Sequence, residues 1–469
     1  MKNQHYSNAF PSDRPNSSLN PCLTFIDLFA GCGGLSLGLM KAGWKGLFAI
    51  EKSPDAFKTL KHNLIEQDDH NRNKPLFDWP DWLDKKPHEI REFINTHRRQ
   101  LLNLRGTIRL VAGGPPCQGF SFAGKRTGKD PRNELFKLHL EIVDIVRPDI
   151  VLLENVRGID IAFGIQEVCE RKHRGNPNKS YADQIWDALE EHGYVVYQKL
   201  IRAADFGIPQ LRPRFFTVGI WRNLFPQDAV PNFFEILLHN KNEFLRSRCL
   251  PIHRPVTVAE AISDLRTDGK EIVECTDPES PRGFKEIVYG GPVSHYQMLM
   301  HEGMNGSTPN SLRLVNHRSE TIRRFKNILE TCQKGIQLSE KDRERLGIRK
   351  NAITPLSPDR PSHTLTTLPD DLLHYAEPRI HTVREHARFQ SFPDWFDFRG
   401  KFTTGGGRRT HECPRYTQVG NAVPPLLAEA IGNALIELLR SIEHASSVSV
   451  SYESPKSEDK VYGAYRESE

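Results

Sequence analysis

Several features that mark common protein classes are missing from this chain of 469 residues. Its eight cysteines include no CxxC pair, and no Cys/His cluster has the spacing of a zinc site. Residues 1–20 contain no apolar core of a secretory signal, and no run approaches the ~20 apolar residues that cross a bilayer. These absences predict a reduced, cytoplasmic protein that binds no metal and touches no membrane.

The charge balance carries little information by itself. There are 64 Lys and Arg residues against 59 Asp and Glu residues, which gives a net charge of +5. Such an excess is compatible with a polyanionic partner but is too small to identify one. Hydrophobic residues make up 38% of the chain, which allows a globular protein with a large core.

Short apolar runs alternate with amphipathic segments over most of residues 24–221. The runs TFIDLF, LFAI, IRLVAGG, DIVLLEN, YVVYQKLI and FFTVGIW predict strands, and the segments between them are mostly helical in pattern. This alternation predicts a doubly wound, mostly parallel sheet. The rhythm fails from about residue 222 to residue 361, apart from one amphipathic helix near Ser319–Thr331. We therefore expect a smaller second domain there, followed by a long amphipathic helix that packs back on the sheet.

A glycine turn between the first strand and the first helix predicts a cofactor site. Gly31, Gly33 and Gly34 permit a tight turn and a close approach of the backbone to a ligand. Glu51 ends the next strand about 20 residues later, where an acidic residue typically binds a ribose. Each feature alone also fits tight packing or a solvated charge. In this order they predict a nucleoside cofactor without a pyrophosphate, since the pattern departs from GxGxxG.

Cys117 stands in the sequence GGPPCQGFS, where two prolines hold its thiol stiffly at the end of a strand. The glycine-rich run that follows is basic, with Lys125 and Arg126 among its members, and predicts a mobile flap. A catalytic thiol fits this setting. A small buried hydrophobic residue, which is the commonest role of a free cysteine, fits Cys117 taken alone, although the polar loop beside it argues against burial.

Two further patterns suggest ionic chemistry. Glu154 ends an apolar run, where a carboxylate is costly unless it is paired or used, so it is either a hydrogen-bonded cap or a general acid. In PQLRPRF, alternation places Gln210, Arg212 and Arg214 on one face of an extended segment. Arginine forks on one face suit a phosphate, a base edge or a carboxylate, and a solvated edge strand is the alternative.

The motifs DLFAGCGGLSLGL, PPCQGFS, ENV, FGIPQLRPR, TVREHARFQSFP and QVGNAVPP, in this order, resemble those of cytosine-5 DNA methyltransferases. The resemblance spans residues 24–220 and 364–435. It implies a Rossmann-like, S-adenosylmethionine-dependent methyltransferase sheet that faces a smaller target-recognition domain. The implied boundaries are a polar tail at 1–20, a catalytic part at 21–221, a recognition domain at 222–368, a return segment at 369–445 and a polar tail at 446–469.

The resemblance also implies roles for individual residues. Cys117 matches the nucleophile, Glu154 matches the acid at ring nitrogen 3 of cytosine, Arg214 matches the arginine at its exocyclic oxygen, and Arg212 is a neighbour in the catalytic site. The positions that match cofactor contacts are Phe29, Gly31, Gly33, Gly34, Glu51, Pro116 and Asn421, with Asp78 as a weak candidate for the aspartate at the adenine. The implied DNA-binding residues are Gln118, Ser121, Lys125, Arg126, Gln210, Thr364 and Leu365.

We therefore expect a monomeric bacterial enzyme that methylates double-stranded DNA and protects it from a partner restriction endonuclease. S-adenosylmethionine is the expected methyl donor, and S-adenosylhomocysteine the product. A relative acting on transfer RNA is one alternative, although the large irregular segment favours a domain that reads DNA. A non-catalytic binding protein is another, against which the intact Cys117, Glu154 and Arg214 argue. A nicotinamide-dependent oxidoreductase would leave the PPC loop unexplained.

Overall fold

The computed structural model describes residues 22–66, 76–116, 134–160, 180–224, 230–404, 408 and 411–450. Within these residues one sheet of six strands organises the molecule. The strands are β1 (Thr24–Leu28), β2 (Lys45–Ile50), β3 (Leu110–Gly113), β4 (Ile150–Val156), β5 (Tyr194–Arg202) and β6 (Pro213–Trp221), in the spatial order β2-β1-β3-β4-β6-β5. Neighbours from β2 to β4 are parallel, and β6 is antiparallel to both β4 and β5. The mostly parallel sheet predicted from the sequence is confirmed.

Because five strands of the described sheet run the same way, their carboxyl ends share one edge. The helices that accompany them are α1 (Gly34–Lys41), α2 (Pro54–Leu60), α3 (Ile90–Asn103), α4 (Glu134–Val146) and α5 (Tyr181–Glu191). The hydroxyl of Ser53 caps α2 by accepting a hydrogen bond from Ala56 N–H, as Ser followed by Pro at the first helical position favours.

The rest of the described chain is built mainly from short elements. The helices are α6 (Phe233–His239), α7 (Lys241–Arg246), α8 (Val258–Ile262), α9 (His295–His301), α10 (Ser319–Thr331), α11 (Glu340–Arg345), α12 (Val383–Phe389), α13 (Arg415–Asn421) and α14 (Pro425–Val450). Two small sheets pair β7 (Ile272–Glu274) with β8 (Lys285–Ile287) and β9 (Thr354–Pro355) with β10 (Leu372–Leu373). The helix expected near residues 319–331 is confirmed as α10.

Three hydrophobic clusters hold the described residues together. One covers the sheet face beneath α1 and α14, and a second covers the opposite face beneath α3, α4 and α5. Buried residues of α6 and α8, such as Phe233 and Ile262, belong to the first of these clusters. A third and smaller cluster joins Phe325 and Ile328 of α10 to residues 338–380. Buried residues on both sides of α10, such as Leu312 and Leu356, belong to the first cluster, so the segment 222–368 contributes to two separate cores.

One helical stretch has the length and composition of a membrane span. The helical stretch Arg415–Ser441 is long and apolar enough to cross a bilayer, with a mean hydropathy of 1.4 in its most apolar window. However, 78% of that window is buried inside the protein. Trp44 Nε1 donates to the carbonyl of Gly432 at 3.0 Å, which ties α14 to the end of α1. The stretch therefore packs as a core helix of this fold.

Candidate functional site

The turn between β1 and α1 contains Phe29, Gly31, Gly33 and Gly34. Phe29 and Gly31 have φ angles of 63° and 57°, and Gly33, which precedes the first residue of α1, has a φ of 97°. These are left-handed backbone conformations, which glycine adopts without steric cost. The turn therefore folds back on itself at the carboxyl edge of the sheet.

Glu51 follows the last residue of β2 and lies beside this turn. Its Oε2 atom accepts a hydrogen bond of 2.9 Å from Gly31 N–H, and its Oε1 atom accepts one of 2.7 Å from Ser53 N–H. Burial raises the pKa of the Glu51 carboxyl above its ordinary value, and the two N–H groups oppose that rise. A Cβ atom at Gly31 would meet nothing within 4 Å, so the space at the turn is open. A carboxylate beside open space at this edge fits the ribose of a nucleoside cofactor.

The segment that precedes α14 closes the other side of the turn. The carbonyl oxygen of Val423 would lie only 2.3 Å from a Cβ atom at Gly34, so the two backbones are in direct contact. The Cys32 thiol donates to the carbonyl of Gln418 at 3.7 Å. Asn421 is exposed and stands two positions before Val423. The structure thus brings the segment that contains Asn421 to the glycine turn from a distant part of the chain.

Glu154 and Arg214 form an ion pair farther along the same edge. Arg214 Nε lies 2.8 Å from Glu154 Oε1, and both side chains are 11% exposed. The register of β4 and β6 pairs Val156 with Arg214, so Glu154 and Arg214 are diagonal neighbours on one face of the sheet. Burial lowers the pKa of the Arg214 guanidinium, and the Glu154 carboxylate opposes that change. A carboxyl group and a cation are thus held side by side.

The residues that lead to Cys117 reach this ion pair. A Cβ atom at Gly114 would lie 3.2 Å from Glu154 Oε2, and Asn155 Nδ2 donates to the carbonyl of Pro115 at 3.3 Å. Asn155 belongs to the ENV motif, but no separate role was predicted for it from the sequence. Pro116 is partly exposed and is the last residue described before a gap. Cys117, Gln118, Ser121, Lys125 and Arg126 lie outside the described residues, and their roles stay predictions.

Asp78 lies beside the start of β2, at the end away from Glu51, which argues against its assignment to the adenine. Asp78 Oδ2 pairs with Lys45 Nζ at 2.8 Å, and Asp78 N–H donates to the carbonyl of Gly46 at 2.7 Å. Lys45 begins β2 and Glu51 follows its end, and a strand of that length spans roughly 16 Å. The segment beside Glu51 is the one around His88, whose N–H donates to the Glu51 carbonyl at 2.9 Å. No spacing in the sequence indicated that contact.

Gln210 and Leu365 were expected to contact DNA, and the structure buries both side chains. Their side chains are 0% and 2% exposed. The Gln210 amide is hydrogen-bonded within the protein, and Leu365 belongs to the cluster beneath α1 and α14. Arg212 is also 0% exposed and donates to main-chain carbonyls, including that of Gly420 at 2.8 Å. Thr364 is partly exposed and stays a predicted DNA contact.

Comparisons with known proteins identify the family that this chain matches. The family described as C-5 cytosine-specific DNA methylase matches residues 23–437. The type II methyltransferase M1.HphI of Haemophilus parahaemolyticus is 31% identical over 89% of this chain and 87% of its own length. M.DdeI of Desulfomicrobium norvegicum, also a type II methyltransferase, is 30% identical over 92% of each chain.

The fold has a counterpart among solved structures. A prophage-encoded chain of E. coli, described as a candidate DNA modification methyltransferase, superposes with a TM-score of 0.57 at 23% identity. The match covers 89% of this chain and 99% of the other. With a family match over nearly its whole described length, and a relative above 30% identity over most of both sequences, the chain belongs to the C-5 cytosine-specific DNA methylase family.

Proposed function

We propose that this protein transfers a methyl group to carbon 5 of a flipped cytosine within a specific word of duplex DNA. The observation that carries the proposal is the Glu154–Arg214 ion pair, which stands where the backbone of the GGPPC segment approaches the end of β4. Family membership implies S-adenosylmethionine as the methyl donor. The open glycine turn with Glu51 provides a site that fits it.

Carbon 5 of cytosine is too weak a nucleophile to accept a methyl group directly. In the proposed mechanism the thiolate of Cys117 bonds to carbon 6 and moves electron density to carbon 5, which divides one difficult step into easier ones. Glu154 supplies a proton to ring nitrogen 3, and Arg214 stabilises negative charge at the exocyclic oxygen. After methyl transfer to carbon 5, loss of the carbon 5 proton to solvent, expulsion of the Cys117 thiolate and return of the nitrogen 3 proton to Glu154 would restore the neutral aromatic ring.

The bound cofactor would supply an electrophilic methyl group, and residues of this chain would orient it. Glu51 would accept hydrogen bonds from the ribose hydroxyls while Gly31 and Ser53 N–H groups hold its carboxylate in place. Gly34 allows the turn to contact Val423, two residues after Asn421, which supports Asn421 as part of the same site. The target base must leave the duplex to reach these groups, at a cost of a few kcal/mol.

The segment around α10 and α11 supports DNA as the substrate. Residues 316–350 contain ten Lys and Arg residues against five Asp and Glu residues. Their net charge of +5 equals that of the whole protein. This concentration of positive charge suits a phosphate backbone. Five of its cations are exposed and have no ion pair within the described ranges: Arg318, Arg323, Lys334, Lys341 and Arg349.

We further propose a biological setting. Relatives that match most of this chain are named type II methyltransferases and come from bacteria. A modification enzyme of this kind protects host DNA from a restriction endonuclease with the same recognition word. We therefore place the protein with nucleoid DNA in the bacterial cytoplasm, paired functionally with such an endonuclease.

Bisulfite sequencing of DNA from a host that expresses this chain alone would test the proposed function. We expect cytosines within one short word to resist conversion, because methylation at carbon 5 blocks bisulfite deamination. A Cys117→Ser variant, expressed at the same level, should leave every copy of that word convertible, since a hydroxyl is a far weaker nucleophile than a thiolate. Full protection by Cys117→Ser would overturn the covalent mechanism, and no protected word with the wild type would overturn the activity.

A further inference from the structure

A buried network around Arg212 connects parts of the chain that serve different tasks. Arg212 Nη2 donates to the carbonyls of Gly420 and Ala422, both at 2.8 Å. Arg212 Nη1 donates to the carbonyl of Leu365 at 3.3 Å and to Gln210 Oε1 at 3.4 Å. One guanidinium therefore touches the segment that follows Thr364 and the segment that contains Asn421.

Gln210 extends the network. Its Oε1 atom also accepts a hydrogen bond of 2.9 Å from Leu365 N–H, and its Nε2 atom donates to Gln390 Oε1 at 2.8 Å. Gln390 Nε2 in turn donates to the carbonyl of Val419 at 2.7 Å. Gln210 and Gln390 are both 0% exposed. The two amides thus form a second connection between Leu365 and the end of α13.

The partners of Arg212 are unusual for a buried cation. The guanidinium contacts carbonyl and amide oxygens, and no described carboxylate lies within ion-pair distance of it. Burial lowers its pKa, and a neighbouring cation, Arg214, adds to that effect. A buried charge is tolerated only where its hydrogen bonds are made. The stability of this charge therefore depends on Leu365, Gly420 and Ala422 keeping their relative positions.

The segment 364–367 and the end of α13 are in direct backbone contact. A Cβ atom at Gly420 would lie 2.4 Å from the carbonyl oxygen of Thr366, so the backbones touch with no side chain between them. Asn421 is the next residue after Gly420. Thr366 and its neighbour Thr367 are exposed on the other side of this contact. A shift of residues 364–367 would consequently displace Gly420 and alter the hydrogen bonds of the Arg212 guanidinium.

We propose that Arg212 is a positioning residue that couples DNA binding to cofactor binding and does not itself touch the cytosine. When residues 364–367 engage DNA, the Arg212 network holds the end of α13 in the conformation that favours the cofactor. By thermodynamic linkage, bound cofactor then strengthens DNA binding by the same factor. This inference rests on the proposed function, because it takes Thr364 and Asn421 as residues of the DNA and cofactor sites.

Calorimetry with S-adenosylhomocysteine, the unreactive product, would test the coupling. The Kd would be measured with and without a duplex that carries the word found by bisulfite sequencing. We expect DNA to tighten wild-type binding by at least about fivefold, the lower end of typical coupling between sites. Arg212→Lys should reduce that factor to within about twofold of unity, because an ammonium group cannot hold three carbonyls in the planar arrangement of a guanidinium.

Arg384→Lys is the matched control. Arg384 is also 0% exposed and donates to main-chain carbonyls, including those of Asn310 and Phe396, but its contacts lie away from Leu365 and Gly420. The Arg384→Lys protein should keep the wild-type coupling factor, although its free energy of unfolding should fall about as much as that of Arg212→Lys. A pH profile of methylation offers a second readout, since a residue that only positions others should leave its shape unchanged in Arg212→Lys.

Gln210→Met provides a second variant in case Arg212→Lys does not fold. It removes the bonds to Leu365 and Gln390 while Arg212 remains, and it should lower the coupling factor as well. The inference would be overturned if a folded Arg212→Lys or Gln210→Met protein kept the coupling factor of the wild type. It would also be overturned if DNA did not change the Kd of the wild type for S-adenosylhomocysteine. A wild type that binds neither S-adenosylhomocysteine nor DNA would instead overturn the proposed function.

Discussion

A carboxylate can orient a ligand only if the protein first orients the carboxylate. Glu51 meets this condition, because backbone N–H groups of Gly31 and Ser53 hold its two oxygens from different directions. Asp78 does not meet this condition, because it pairs at the surface with Lys45 and both side chains are more than half exposed. At the scale of single residues, the fixed and partly buried carboxylate is the one equipped to bind a cofactor.

Glu51→Ala should therefore weaken S-adenosylhomocysteine binding. The loss of a hydrogen bond to a charged group is worth about 1–3 kcal/mol, which corresponds to a Kd about 5- to 150-fold higher. Asp78→Ala is the control and should leave the Kd unchanged, because Asp78 lies at the opposite end of β2. Calorimetry on both variants gives the comparison, and equal Kd values for the two would remove Glu51 from the site.

Residue patterns predicted correctly which side chains share a face, but they did not predict whether that face is buried or exposed. Alternation correctly grouped Gln210, Arg212 and Arg214, and the exposed Leu211 lies between them. The sequence left a phosphate, a base edge or a carboxylate open as partners, and Arg214 pairs with the Glu154 carboxylate, whereas Gln210 and Arg212 are buried against other parts of the chain. Their partners Leu365 and Gly420 are more than 150 residues away along the chain. Short-range periodicity contains no information about such contacts.

At the scale of elements, one contact determines whether the cofactor turn is complete. The amino end of α1 touches the segment between α13 and α14, where Gly34 leaves room for the Val423 carbonyl. The backbone of Gly34 is not in the left-handed region, so its importance lies in space and not in conformation. This distinguishes it from Gly31 and Gly33, whose φ angles are positive.

Gly34→Ala should destabilise the protein and weaken cofactor binding together. The added Cβ atom would lie 2.3 Å from a carbonyl oxygen, so one backbone must move. Such overpacking typically costs about 1–3 kcal/mol in the free energy of unfolding. Gly290→Ala is the control, because a Cβ atom there meets nothing within 4 Å. Urea unfolding would show the difference, and a Gly34→Ala protein as stable as Gly290→Ala would contradict the proposed contact.

The longer elements were predictable because they repeat a pattern often enough to be recognised. The six strands of the sheet and α10 were all expected from the sequence. Helices α6, α7, α8 and α9 were not, since each has seven residues or fewer. Two turns or less give too few apolar positions to distinguish a helix from a loop. Tertiary packing stabilises these helices, as the buried Phe233 and Phe234 of α6 illustrate.

At the scale of the whole molecule, the hydrophobic clusters divide the chain differently from its sequence rhythm. The rhythm changes at about residue 222, but buried residues on both sides of α10, such as Leu312 and Leu356, still belong to the cluster beneath α1 and α14. The small cluster of α10 contains Phe325, Ile328, Leu338, Ile348, Ile353, Leu373 and Ile380. The unit 316–353 supplies five of these seven residues, and it contains the concentration of positive charge at 316–350. We propose that this unit, residues 316–353, reads the DNA word.

Exchange of residues 316–353 with those of a relative of different specificity should therefore move methylation to the relative's word. Base readout needs side chains aimed into a groove, whereas methyl transfer needs only the flipped base, the cofactor and the residues assigned above. The graft should keep its stability if the buried positions of the small cluster stay apolar and similar in volume. Bisulfite maps of the chimera and of both parents would give the result.

Exchange of the full segment 222–368 is the informative comparison. It replaces Phe233, Val256 and Ile262, which are 0% exposed and pack in the main cluster against residues that the graft does not change. Each misfit in such a core costs about 1–3 kcal/mol, so several should add up to a clear fall in melting temperature. The short graft should thus be the more stable of the two and equally able to change specificity. A short graft that methylates the original word, beside an active long graft that methylates the new one, would show that the reading residues lie before residue 316 or after residue 353.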